Sequence, residues 1–84
     1  MSEPVTLAEA KLFLRVSHEA EDDLIETLIA ASKERVEQAT GLTLDETAPA
    51  ALRLVILKWV HAAYEGEADS EAETWLRPYR VVRL

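Results

Sequence analysis

The 84-residue sequence contains no cysteine. That absence excludes disulfide staples and thiolate zinc sites and suits a reducing compartment. Only two glycines and three prolines occur, too few for a collagen-like or low-complexity chain. No apolar run approaches the roughly 20 residues that span a bilayer as a helix, so no membrane partner is expected. Met1-Ser2-Glu3-Pro4 has neither the basic nor the apolar region of a signal peptide. Positive charge is also scarce. Nine Lys and Arg face sixteen Asp and Glu, giving a formal net charge of −7. A surface of that sign repels phosphate backbones and disfavours ordinary duplex DNA binding.

Catalytic constellations are missing too. There is no Gly-rich phosphate loop, no serine-nucleophile motif and no zinc-hydrolase motif. His18 and His61 are the only histidines. A metal site would need further ligands at defined spacing, and His61 with Glu65 four residues on does not supply them. Both histidines therefore read as structural or surface residues. The acids Glu19, Glu21, Asp22, Asp23 and Glu26 lack the alternating ligands and central glycine of a calcium loop. They read as a solvated helix start, favoured there by the helix dipole. The expectation is a protein without catalysis, cofactor or metal.

What is present is helix pattern. Hydrophobic residues at 49% and charged residues at 30% allow one folded domain with a modest core. Thr6-Leu7-Ala8-Glu9 fits a capping box and opens a short helix to about Leu14. Arg15-Val16-Ser17 breaks the pattern, and Ser17 is a candidate N-cap for the next helix. That helix is expected from about Glu19 to Thr40, stopped by Gly41. Its apolar stripe is Leu24, Ile25, Leu28, Ile29, Ser32, Val36 and Ala39. Its opposite face carries Glu26, Lys33, Glu34 and Glu37. Leu42-Thr43-Leu44-Asp45 alternates, as a short strand or an extended linker would.

Pro49 marks a third helix running to about Tyr64 or Glu65, with Gly66 after it. Its residues Leu52, Leu54, Val55, Ile56, Leu57, Trp59 and Val60 cover most of its circumference, which implies burial on several sides and a subunit neighbour. Ser70-Glu71-Ala72-Glu73 is a second capping-box pattern, opening a short fourth helix to near Arg77. The fold class is therefore all-α, with about four helices, two of them long and antiparallel. The helical domain is expected over residues 1–76, with an extended basic tail over 77–84.

The tail carries Arg77, Arg80 and Arg83 and no acidic side chain. Pro78 stops the preceding helix, and Val81-Val82-Arg83-Leu84 has strand-forming character. Trp59 reads as core. Trp75 reads either as core or, beside the arginines, as part of a binding hot spot. Partner-binding candidates are Trp75, Arg77, Tyr79, Arg80, Val81, Val82, Arg83 and Leu84.

The ordered set of these motifs resembles the small head–tail connector proteins of tailed bacteriophages, also labelled DNA-packaging or head-completion proteins. The residues that carry the resemblance begin with Val5-Thr6-Leu7-Ala8-Glu9-Ala10-Lys11 and Leu14-Arg15-Val16. Glu21-Asp22-Asp23-Leu24-Ile25 then opens the long helix, which continues through Leu28-Ile29-Ala30-Ala31 and Val36-Glu37 to Thr40-Gly41. Pro49, Leu52, Val55-Ile56-Leu57, Trp59 and Tyr64-Glu65 follow, and Leu76-Arg77-Pro78-Tyr79-Arg80 closes the match. One departure stands out. Many relatives carry a longer β-rich insertion between the long helices, where this chain has only Leu42 to Ala48.

The resemblance implies a structural protein of the virion neck, present in the host cytoplasm during assembly. It implies a homo-oligomeric ring of about a dozen subunits under the portal protein. Such a ring extends the DNA channel and receives the next neck or tail-completion protein. DNA would pass without sequence-specific binding, and Glu19, Glu21, Asp22 and Asp23 are the candidates to face it. The alternative reading is a small helical interaction module, a regulator or antitoxin-like protein that wraps a partner with its tail. It would be a monomer or dimer.

Overall fold

The computed structural model describes residues 3–66, which form three helices: α1 over Leu7–Leu14, α2 over Asp22–Thr40 and α3 over Ala50–Glu65. The expected fourth helix and the tail fall on residues outside this range.

Helix α1 starts where its capping box places it. Thr6 Oγ1 accepts from the Glu9 N–H at 3.1 Å, and the Thr6 N–H donates to Glu9 Oε1 at 2.9 Å. Two of the orphan donors at the helix start are thereby satisfied. The helix ends at Arg15, which adopts left-handed geometry at φ 61°. The Arg15 N–H donates to the Leu12 carbonyl and the Val16 N–H to the Lys11 carbonyl, the bond pair of a Schellman motif.

Helix α2 begins later than its acidic run suggests. Residues 18–21 form bends and a turn, with the Asp22 N–H bonded to the Glu19 carbonyl at 3.2 Å. Glu21, not Ser17, occupies the N-cap position, without a side-chain cap bond. First-turn acids and acids just before a helix look alike in sequence, because both benefit from the same dipole. The far end agrees with the expectation, since Gly41 caps α2 at φ 74°.

The segment 42–48 is a linker, and no strand occurs among the described residues. The N–H groups of Leu42 and Leu44, on alternate positions, are claimed by side chains and so are not free for a ladder. The Leu42 N–H donates to Thr40 Oγ1 at 3.2 Å, and the Leu44 N–H donates to Glu37 Oε2 at 2.8 Å. Holding Leu44 this way buries it. Asp45 Oδ1 then accepts from both the Thr47 N–H and the Thr47 hydroxyl, an Asx-turn that redirects the chain toward Pro49.

The three helices enclose one core. Ile25, Ile29 and Val36 from α2 meet Leu52, Val55, Ile56, Trp59 and Val60 from α3, with Ala10 and Leu14 from α1 and Val5 ahead of it. The α2 stripe holds for Ile25, Ile29, Ser32 and Val36, which are buried, and for the half-buried Leu28 and Ala39. Leu24 is a correction, being 47% exposed. It lies at the edge of the stripe, a full 100° around the helix from Ile25 by helical geometry (about 3.6 residues per turn).

Trp59 is core, as its apolar neighbours imply, and the Arg35 guanidinium lies over its ring at 4.1 Å from the centroid. Helix α3 also corrects an expectation. Within the single chain no apolar residue from Leu52 to Val60 is exposed, and only Leu54 and Leu57 remain half-buried. Its composition therefore does not require a subunit neighbour. The Tyr64 hydroxyl at the end of α3 donates to Glu21 Oε1 at the start of α2, as antiparallel neighbours permit.

Candidate functional site

Two surfaces of the described residues carry concentrated charge. The first is the acidic start of α2. Its four acids do not form one uniform face. Asp22 is half-buried, and its Oδ1 is shielded from solvent against the Lys11 ammonium at 2.7 Å. Glu21 is half-buried and holds the Tyr64 hydroxyl. That bond, together with desolvation and the nearby negative charge, pushes the Tyr64 phenol above its ordinary pKa, because the carboxylate favours the neutral donor. Glu19 and Asp23 are exposed. Two of the four acids thus fix helices to one another, and two face solvent. Among the described residues no group of three or more His, Cys, Asp or Glu side chains gathers in a metal-holding arrangement. His61 packs edge-on against Phe13, with ring centroids 5.9 Å apart.

The second surface is a cleft of about 930 Å³ between the N-terminal segment, α2 and the first turn of α3. The polar face of α2 recognised in the sequence becomes one wall, through Glu26, Lys33, Glu34 and Glu37. The opposite wall is Glu3 to Glu9, and Arg53 stands beside it on α3. Arg53 organises this corner. Its Nε donates to the Pro4 carbonyl at 2.8 Å while Nη2 pairs with Glu9 Oε2. The Thr6 bonds and the Arg53 charge hold the Glu9 carboxyl below its ordinary pKa, outweighing partial desolvation. Across the cleft, Lys33 pairs with Glu3 at 3.2 Å.

Nothing in the sequence pattern singled out Arg53 or the cleft. One local signal existed. Val5 and Ala10, just before and just after the capping box, occupy the positions of a hydrophobic staple, and both are fully buried. That pattern marks the N-terminal segment as part of the body. The partner-binding candidates Trp75, Arg77, Tyr79, Arg80, Val81, Val82, Arg83 and Leu84 lie outside the described residues.

Chemically, neither surface assembles a nucleophile, a base and an oxyanion donor. Both carry an excess of negative charge, which attracts basic segments and repels polyanions. No described helix is long and apolar enough to cross a membrane. The sequence matches the family model described as phage gp6-like head-tail connector protein over residues 4–77. No curated protein and no solved structure matches the chain.

Proposed function

This chain belongs to the phage gp6-like head-tail connector family, and from that premise we propose that it forms a ring beneath the portal, joining head to tail and continuing the DNA channel. The observation that carries this reading is the family match, which spans residues 4–77 and so takes in all three helices. The role is structural, in the virion neck, with no catalytic step.

Charge supports the channel part of the reading. A net charge of −7 around a DNA path repels phosphates and lets the duplex slide instead of sticking. Of the acidic candidates, Glu19 and Asp23 are the ones free to face the duplex, while Glu21 and Asp22 brace the helices behind them. The basic segment from Trp75 to Leu84 is the proposed grip on the portal or on the neighbouring subunit, with Arg77, Arg80 and Arg83 meeting acids there and Val81 to Leu84 available for strand addition.

Electron microscopy of the full chain mixed with its cognate portal tests the proposal. The expected result is a closed ring of this chain stacked on the portal along the channel axis. A chain that stays off an intact portal ring at concentrations well above micromolar would overturn it. Deleting Val81 to Leu84 is expected to leave the melting temperature of the body nearly unchanged and to weaken the complex.

A further inference from the structure

Helix α3 has a second apolar side. Leu52, at the centre of its buried arc, is fully enclosed. Leu54, Leu57, Lys58 and His61 lie about 140–240° around the helix from it, and all four are half-buried. Phe13 of α1 extends this side, with its ring against His61 and 40% of its surface exposed. The outcome is an outward face of two leucines and two rings, edged by the Lys58 ammonium.

The sequence continues for 18 residues after Gly66, and the family match takes in the first eleven of them. Residues 67–77 thus belong to the same family unit as the three helices. In this stretch Ala68, Ala72, Trp75 and Leu76 recur at the i, i+4, i+7, i+8 spacing of one helix face. Trp75 and Leu76 are its only large apolar side chains. Glu67, Asp69, Glu71 and Glu73 flank that stripe, with no Lys or Arg before Arg77. An apolar stripe edged with carboxylates complements an apolar face edged with an ammonium.

Chain length sets the register. Gly66 caps α3 in left-handed geometry at φ 74° and turns the chain off the helix axis. Trp75 is nine residues past Gly66, and Leu57 is nine before it. A return alongside α3 therefore brings Trp75 and Leu76 level with Leu57 and Leu54. A segment on so short a tether acts at an effective concentration of roughly millimolar, which favours its own chain over a second copy.

We propose that residues 68–76 dock on the outward face of their own α3, with Trp75 and Leu76 covering Leu54, Leu57 and the Phe13 ring and the flanking acids meeting Lys58. Trp75 is then the anchor of the basic arm, and the part that reaches a partner starts at Arg77. The seat lies within one subunit, so it stands with or without a ring.

Tryptophan fluorescence of the full chain without portal tests this. Trp59→Phe leaves Trp75 as the single reporter. The expected emission is blue-shifted, with acrylamide quenching severalfold slower than for free tryptophan, and is the same at every dilution. Lys58→Glu, outside the core cluster, should move the emission to the red and speed the quenching while helical circular dichroism is retained. Leu54→Ser with Leu57→Ser should do so more strongly. If Trp59→Phe does not fold, the difference between the native chain and Trp75→Phe reports the same indole.

A red-shifted, freely quenched Trp75 in the chain alone would overturn the seat, and a ring on the portal formed by that same chain would leave the proposed function standing. Burial that appears only on adding portal would overturn it by giving Trp75 to the portal. Burial lost on dilution would overturn it in favour of a second copy. Burial unmoved by the substitutions at 54, 57 and 58 would place Trp75 elsewhere on the body and overturn it as well.

Discussion

Arg53, in the first turn of α3, bonds the carbonyl of Pro4 at 2.8 Å across 49 positions of sequence. The same guanidinium holds Glu9, whose carboxylate also caps α1. One side chain therefore ties the N-terminal segment, the first helix and the third helix together, using donors that point in two directions as only arginine allows.

Arg53→Ala should destabilise the fold by about 1–2 kcal/mol. The pair with Glu9 is more than a third exposed on both sides, so solvent screening leaves it at most about 1 kcal/mol. The charged bond to Pro4 accounts for the rest. Arg53→Lys should recover only part of the loss, because an ammonium cannot serve both acceptors with the same geometry. Urea midpoints of the three proteins check this. A lysine variant equal to the native chain would show that charge alone matters.

Adjacent positions on α3 should differ in cost. Ile56 is fully buried and Leu57 only half-buried. Ile56→Ala should cost about 2–5 kcal/mol, a large part of the roughly 5–15 kcal/mol available to a small domain. Leu57→Ala should cost about 1–2 kcal/mol, in proportion to the apolar area it hides. If Ile56→Ala does not fold, Ile56→Val should still lose about 0.5–1.5 kcal/mol. Equal losses for Ile56→Ala and Leu57→Ala would show both side chains to be equally enclosed.

Glu9 should make stability fall in acid. Its folded-state pKa lies below the ordinary glutamate value, chiefly through the Thr6 backbone bond. Above the ordinary value both folded and unfolded chains are ionised there and the contribution is complete. As pH drops through the depressed folded value, the unfolded chain has taken up its proton first and the contribution disappears. The chain is strongly acidic overall, and relief of self-repulsion works in the opposite sense. The quantity to measure is therefore the difference between native and Glu9→Gln melting temperatures from about pH 6 to pH 3. That difference should shrink as pH falls.

Tyr64 should act at the other extreme. Its bond to Glu21 raises the phenol pKa, so its contribution is complete below the ordinary tyrosine value and is lost as pH rises through the raised one. Tyr64→Phe should lower the melting temperature at neutral pH and lose less than the native chain between about pH 9 and pH 11. Parallel curves for the two proteins would mean that the hydroxyl contributes nothing.

Legibility in the sequence followed the range of the interaction. The capping box at Thr6 and Glu9, the stop at Gly41 and the extent of α3 are local devices, and each lies where pattern places it. The start of α2 lies three residues past the expected Glu19, because acids flanking a helix start satisfy the same dipole on either side of the boundary. The linker at 42–45 alternates like a strand, yet the Leu42 and Leu44 N–H groups bond Thr40 and Glu37. That outcome depends on where α2 ends, which no short window contains. Arg53 and the cleft are more distant still. They depend on α3 returning beside residues 3–9, and a solitary arginine in an apolar helix gives no sign of which carbonyl it will find.

Arg15 shows the chain somewhat short of its optimum. It ends α1 at φ 61°, exposed and with no side-chain partner among the described residues. A left-handed residue with a Cβ gives up roughly 1 kcal/mol there relative to glycine. Every arginine codon becomes a glycine codon by a single base change. A sturdier version of this corner is thus one mutational step away, and such unclaimed stability is ordinary for a protein selected only to stay above a folding threshold. For anyone building on this scaffold, Arg15→Gly is reserve stability against which costlier changes in the cleft can be set.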